Sequence, residues 1–139
     1  MAVTDFDTKV AVVVRDDLAA WQRLNVVAFL MSGIAATGDG VVGPPYVDGS
    51  GREYLPMLRQ PVLVYASDAG KLATVARRAR EREVPFALYT SELFTTGHDD
   101  DNRAAVAAVA TDDLDLVGIG FRAPHRPADQ ILRGLKRHP

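Results

Sequence analysis

Arg15, Asp16 and Asp17 stand at the end of an apolar run, and a helix begins almost at once behind them. A carboxylate at such a strand end can take a proton, and a guanidinium can hold an anion or a developing negative charge. Asn25 and Ser32 follow, seven positions apart and therefore on one face of the next helix. An amide and a hydroxyl on a helix otherwise so apolar fit the wall of a pocket. The same residues also have a plain structural reading, in which Arg15 and Asp17 pair with each other or cap the helix and Asn25 satisfies backbone.

Other groupings carry less. Gly38, Gly40 and Gly43 spell G-x-G-x-x-G, but they follow a helix and run into Pro44-Pro45. The dinucleotide mechanism needs that loop between a strand and a helix. The stretch from Asp48 to Glu53 is faintly similar to a calcium loop, with too few acids and no closing glutamate at the required position. A turn is the better reading. His98 with Asp99, Asp100 and Asp101 could ligate a metal, but a solvated loop whose acids favour the start of the next helix explains them more simply. His125 and His138 lie among Arg122, Arg126, Arg133, Lys136 and Arg137, a pattern that solvated helix faces make as often as phosphate sites do. Neither a nucleophile elbow nor a P-loop is present. Trp21 and the phenylalanines read as core. The expectation is no metal and no cofactor.

The elements that must position these groups follow from periodicity. Lys9 to Val14, KVAVVV, is a continuous β-branched run and predicts a central buried strand. Leu18 to Ala36 predicts a helix, with Leu24, Val27, Ala28, Met31 and Ala35 as its core-facing stripe. Thr37 to Met57 has no period and many Gly and Pro, and long loops of this kind are often functional. This one is expected to cover the end of the first strand and bring Asp48 or Arg52 near Asn25. Pro61 to Tyr65, Pro85 to Tyr89 and Leu114 to Phe121 predict three more strands. Helices are expected from Asp68 to Glu83, capped by Ser67, from Arg103 to Ala110, and after Pro124. Ser91 to Asp101 reads as a polar connection. The alternation points to a three-layer α/β/α sandwich around a mixed four-stranded sheet, in one domain spanning 1–139.

The whole chain sets outer bounds. At 139 residues one core suffices. A hydrophobic fraction of 47% with 24% charged residues is that of a soluble globular protein. The absence of cysteine excludes disulfides, thiolate metal sites and a cysteine nucleophile. The net charge of −2 argues against broad contact with nucleic acid, which needs a basic excess. The N-terminus lacks a basic-then-apolar signal pattern, and the longest apolar stretch is too short to span a bilayer. A cytoplasmic location and no membrane partner are expected.

The order of pieces resembles a known family. Val13-Val14-Arg15-Asp16-Asp17-Leu18, Pro61-Val62-Leu63-Val64, Val84 to Tyr89, and Gly118-Ile119-Gly120-Phe121-Arg122-Ala123-Pro124 resemble, in order, the motifs of the archaeal and eukaryotic type of peptidyl-tRNA hydrolase. That resemblance implies a peptidyl-tRNA hydrolase type II-like fold and covers most of the chain. The family's lysine region reads Gln22-Arg23-Leu24-Asn25 here. Its glutamine falls near Phe29 and its histidine near Ser32. Its polar loop is replaced by Ser91 to Gly97, so that Asp17 and Thr95 or Thr96 alone carry over. Asn25, Val42-Gly43-Pro44 and the D-x-x-G of Asp48 to Gly51 look closer to an uncharacterised bacterial branch of the same fold, domain of unknown function 2000.

Three readings result. The first is a hydrolase-like protein with a small-molecule or nucleotide-derivative pocket at the end of the first strand, drawn from Arg15, Asp17, Asn25, Ser32, Asp48 and Thr95. The second is a divergent aminoacyl- or peptidyl-tRNA hydrolase using Asp17 and threonines of the Ser91 to Gly97 loop; tRNA is the less favoured partner. The third is a non-catalytic module that forms a homodimer.

Overall fold

Val10, Ala11, Val12, Val13 and Val14 are wholly buried, and that burial organises the rest of the chain. In the computed structural model, which describes residues 6–139, they form most of strand β1 (Thr8–Arg15). There follow helix α1 (Ala20–Thr37), β2 (Tyr46–Val47), β3 (Glu53–Tyr54), β4 (Val62–Ser67), α2 (Ala69–Glu81), β5 (Ala87–Thr90), α3 (Asp99–Ala107), β6 (Leu116–Pro124), α4 (His125–Leu132) and β7 (Lys136–Arg137). Short 3-10 turns at Ser91–Thr95 and Thr111–Asp113 complete the path. Residues 1–5, on which much of the targeting-signal argument falls, lie outside the described residues.

A strand with no polar face must be covered on both sides. Val12 and Val14 enter one apolar layer with Val26 and Leu30 of α1. Ala11 and Val13 enter the opposite layer with Leu72, Val75 and Ala76 of α2 and Ala128 and Ile131 of α4. The sheet order is β5-β6-β1-β4-β7, with β1 and β4 parallel and the other pairs antiparallel. The first strand is central, as KVAVVV predicts. The sheet has five strands rather than four. The additional one, β7, pairs Arg137 with Tyr65 and Lys136 with Ala66 at the edge of β4. Two charged residues carry no strand signal, yet a short cationic strand is how sheet edges are commonly closed off. Gly134, at φ 88°, makes the turn into it.

The buried side of α1 is not the expected stripe. Val26, Leu30 and Ile34 are buried, whereas Leu24 is 73% exposed and Ala28 lies in solvent. A helix this apolar offers several stripes at spacings of three and four, so periodicity could not choose among them. The sheet chooses. Gly118 and Gly120 alternate onto one face of β6 and leave a track for the helix. A Cβ on Gly118 would lie 2.5 Å from Val26 Cγ1, and one on Gly120 3.2 Å from both Leu30 Cβ and Ile34 Cδ1.

Local boundaries moved for identifiable reasons. Asp68, not Ser67, caps α2, accepting from the Lys71 amide at 2.8 Å, while Ser67 is the buried last residue of β4. Helix α3 starts at Asp99 rather than Arg103, so Asp99, Asp100 and Asp101 occupy its first turn, where carboxylates oppose the helix dipole. Gly38 ends α1, its amide on the Ile34 carbonyl at 2.8 Å; the glycine triplet closes a helix instead of opening one. Among the described residues, no helix is long and apolar enough to cross a membrane.

Candidate functional site

The turn from β1 into α1 is tied down by Arg15. Its Nε donates to Asp17 Oδ1 at 3.0 Å and its Nη2 to Asp17 Oδ2 at 2.9 Å. Nη1 donates to Asp115 Oδ1 at 2.7 Å and to the Leu116 carbonyl at 3.3 Å, joining the end of β1 to the start of β6. The hydrogen bond from Arg15 holds the Asp17 carboxyl below the usual aspartate range, and Asp17 in turn raises the guanidinium. A bidentate pair of this geometry leaves the carboxylate acceptor-only and already engaged.

Asn25 faces a different neighbourhood. From the second turn of α1 its side-chain nitrogen donates to the Tyr89 hydroxyl at 3.3 Å, across to β5. Around the pair lies a cleft of about 340 Å³, walled by α1 on one side and by the 3-10 turn and the start of α3 on the other. Trp21, Phe29, Tyr89 and Phe94 form its aromatic lining. The rings meet edge to face: Trp21 and Phe94 at 6.0 Å, Phe29 and Tyr89 at 5.7 Å, with Tyr89 and Phe94 tilted at 5.1 Å. Thr96, His98, Asp99 and Asn102 add polar groups on the α3 side. The Thr96 hydroxyl is engaged with Asn102 Oδ1 and with the Leu93 carbonyl, and Asp99 pairs with Arg103. Burial raises the Tyr89 phenol above its ordinary value, and the bond from Asn25 offsets part of that rise.

The sequence-derived residues do not converge. Arg15 and Asp17 are outside the cleft lining, as is Ser32, whose hydroxyl donates to the Phe29 carbonyl at 2.6 Å. Seven residues on one helix face are still about 10 Å apart along the axis, so Asn25 and Ser32 cannot share a small ligand by face alone. Thr95 is exposed and donates to the Glu92 carbonyl at 2.8 Å; its neighbour Thr96 is the one that lines the cleft.

Asp48 and Arg52 belong to the β2–β3 hairpin, whose base packs Val41, Val42 and Leu58 against Val10 at the start of β1 and Ile34 near the end of α1. That is the opposite end of the strand from Arg15, and no residue of the loop lines the cleft. The loop is not a lid over Asn25, because α1 carries the chain back along the sheet before the loop begins. Asp48 organises its own turn instead. Oδ1 accepts from the Ser50 and Arg52 amides at 2.9 and 3.0 Å, and Oδ2 from the Tyr54 hydroxyl at 2.7 Å.

Sequence reasoning missed the aromatic members. Trp21 and Phe29 read as core and are 62% and 54% exposed. A recognisable signal was their spacing with Asn25 at i, i+4 and i+8, which puts all three along one side of α1. The basic residues near the C-terminus are divided among β6, α4 and β7. Arg122 donates to Thr8 Oγ1 at 3.2 Å and to the Asp39 carbonyl at 2.9 Å, and the His125 ring meets the Phe6 carbonyl. Among the described residues, no three metal-binding side chains gather. A larger hollow of about 540 Å³ under the far end of α1 is lined by Gly33, Ile34, Phe86, Ala87 and their neighbours; its charged members are Asp39 and Arg122.

Known proteins place the chain. It matches the family described as "Protein of unknown function (DUF2000)" over residues 8–139. It is similar to the solved structure of a protein of unknown function, Atu0240 from Agrobacterium tumefaciens str. C58, with 46% identity, 96% of this chain and 99% of that chain covered, and a TM-score of 0.93. No curated protein matches it.

Proposed function

We propose that this chain, which belongs to the DUF2000 family of proteins of unknown function, binds a small molecule with a flat, uncharged, hydrogen-bonding ring in the cleft around Asn25 and Tyr89. The observation that carries the reading is the pairing of an aromatic wall with unspent polar groups. Asn25 uses one N–H on Tyr89 and keeps its carbonyl and its other N–H. Tyr89 accepts that bond and keeps its own proton to donate. A ring edge with one donor and one acceptor, as a nucleobase presents, meets both, while Trp21, Phe29 and Phe94 supply faces and edges for packing. The cleft's size is at the small end of ligand sites, matching a base or nucleoside.

Charge narrows the class. The lining contains no Lys or Arg and one carboxylate, Asp99. The acidic first turn of α3, Asp99 to Asp101, offsets what His98 and the helix N-terminus would offer a phosphate, so a neutral ring is preferred. Hydrolysis is not proposed. Ester cleavage needs a positioned base or nucleophile and donors for the oxyanion, and Asp17, the carboxylate carried over from the peptidyl-tRNA hydrolase resemblance, is engaged by Arg15 away from the cleft. In this reading the resemblance to those enzymes is one of scaffold only.

Thermal unfolding in the presence of nucleosides, free bases and inorganic phosphate tests the proposal. A ligand at a hundred times its Kd adds about 2.7 kcal/mol, a shift of several degrees. The expected result is stabilisation by a nucleoside or base, none by phosphate, and loss of the effect in Asn25→Ala. Stabilisation by phosphate alone would contradict the reading.

A further inference from the structure

Helix α1 has an outer face that nothing among the described residues covers. From Leu24 to Gly38 it carries no charged residue. Its sheet-facing side is accounted for by Val26, Leu30 and Ile34. The opposite side runs through Leu24, Ala28 and Ala35, with Trp21 and Ser32 alongside. A helix covering a sheet normally turns charge outward. Helix α2 of the same chain does so, with Lys71, Arg77 and Arg80 exposed. The one hydroxyl on the α1 face, that of Ser32, spends its proton on the helix backbone.

The apolar surface continues sideways. Val27 and Met31 are half-buried beside Val62 and Val64 of β4. Met31 also touches the base of the β2–β3 hairpin. Beyond that base every residue from Pro44 to Met57 is exposed, including Tyr46, Val47, Tyr54, Leu55 at 84% and Met57. A lone two-stranded hairpin is marginal in water at best, and these apolar groups have no cover among the described residues. With Trp21 and Leu24, seven large apolar side chains are at least half exposed. Their exposed surface, summed over the start of α1 and the hairpin beyond its far end, is on the order of the 800 Å² that each partner brings to a specific interface.

We propose that this layer is the interface with a second copy of the chain, α1 against α1 across a two-fold axis, with the hairpin of each copy contributing beside it. A two-fold axis sets one face against the same face of the partner, residue i meeting j and j meeting i, and an uncharged face meets its own copy without like-charge repulsion. The low ridge of Ala28, Ser32 and Ala35 lets helix axes approach within the 8–10 Å of ordinary helix packing. The inference does not depend on a ligand, because Leu24 and Ala28 lie outside the cleft.

The test is the mass in solution by light scattering for the full chain, Ala28→Glu and Leu24→Glu, with circular dichroism to show that each variant is folded. Both positions are exposed in the single chain, so folding is not at risk. The expected result is a parent of twice the chain's 15.0 kDa and variants whose dimer is at least about a hundredfold weaker, since an unpaired charge is buried at the interface. Leu55→Lys should weaken it as well. A parent that stays monomeric at high micromolar concentration overturns the proposal; if that monomer then sediments with lipid vesicles or with another protein, the face belongs to that partner. A dimer that survives both helix substitutions also overturns it.

Discussion

The Asn25 side-chain nitrogen donates to the Tyr89 hydroxyl across 3.3 Å, joining α1 to β5 and leaving the phenol proton free to point into the cleft. Burial holds Tyr89 above its ordinary pKa and Asn25 pulls it partly back. Since the folded value lies above the unfolded value of about 10, the stability it contributes is present below that pH and is lost as pH rises through the folded value. An ultraviolet tyrosinate titration should lose one of its late steps in Tyr89→Phe, the other belonging to Tyr54, which its hydrogen bond to Asp48 also raises, and the Tyr89 step should move further up in Asn25→Ala. A Tyr89 step at or below the free-tyrosine value would contradict this arrangement.

The track of Gly118 and Gly120 sets how closely α1 approaches the sheet. Gly118→Ala places a methyl 2.5 Å from Val26 Cγ1, and overpacking of this kind costs about 1–3 kcal/mol. Chemical denaturation should show that loss. Val26→Ala in the same chain should recover part of it, because the two changes share a contact. An unchanged midpoint in Gly118→Ala would show that the helix is free to shift.

Some of this was legible in the sequence and some was not. KVAVVV identifies its own central place because five consecutive buried residues leave no alternative position. Asp48 to Gly51 reads as a turn because an aspartate bonding its own backbone is a local event. The side of α1 that is buried depends on two glycines some ninety positions away, and no window of local sequence contains both. The strand β7 is made by pairing, not by propensity. Thr95 and Thr96 differ because Thr95 ends the 3-10 turn while Thr96 follows it in extended backbone, and Thr96 is the one that lines the cleft. Trp21 and Phe29 were misread because aromatic residues are usually buried and their exposure is a tertiary property.

Asp17 is expected to be a structural residue. The folded carboxyl lies below its unfolded value, so the stability it contributes is present above the unfolded pKa of about 3.9 and is lost as pH falls through the folded value. The pair is solvent-exposed on the Asp17 side, so Asp17→Asn should cost about 1 kcal/mol or less at neutral pH and remove part of the acid sensitivity. Peptidyl-tRNA turnover should be absent or very weak in parent and variant alike. Robust turnover lost with Asp17→Ala would restore the hydrolase reading.

The hairpin should behave as a unit apart from the core. Asp48→Ala removes acceptors for the Ser50 and Arg52 amides and for Tyr54. Hydrogen exchange at those amides should accelerate while amides of β1 keep their protection. Loss of protection throughout the sheet would show that the hairpin is integral to the fold.

Trp21 is the one tryptophan of the chain and lines the cleft, so its fluorescence reports the site without a label. Titration with a nucleoside or free base should change the Trp21 emission saturably. The midpoint should move at least about tenfold in Asn25→Ala, the equivalent of one lost hydrogen bond at roughly 1.4 kcal/mol. The matching nucleoside monophosphate should bind no more tightly. Emission unchanged to the solubility limit of every ring compound, or a response that is identical in Asn25→Ala, would contradict the assignment of this cleft as the binding site.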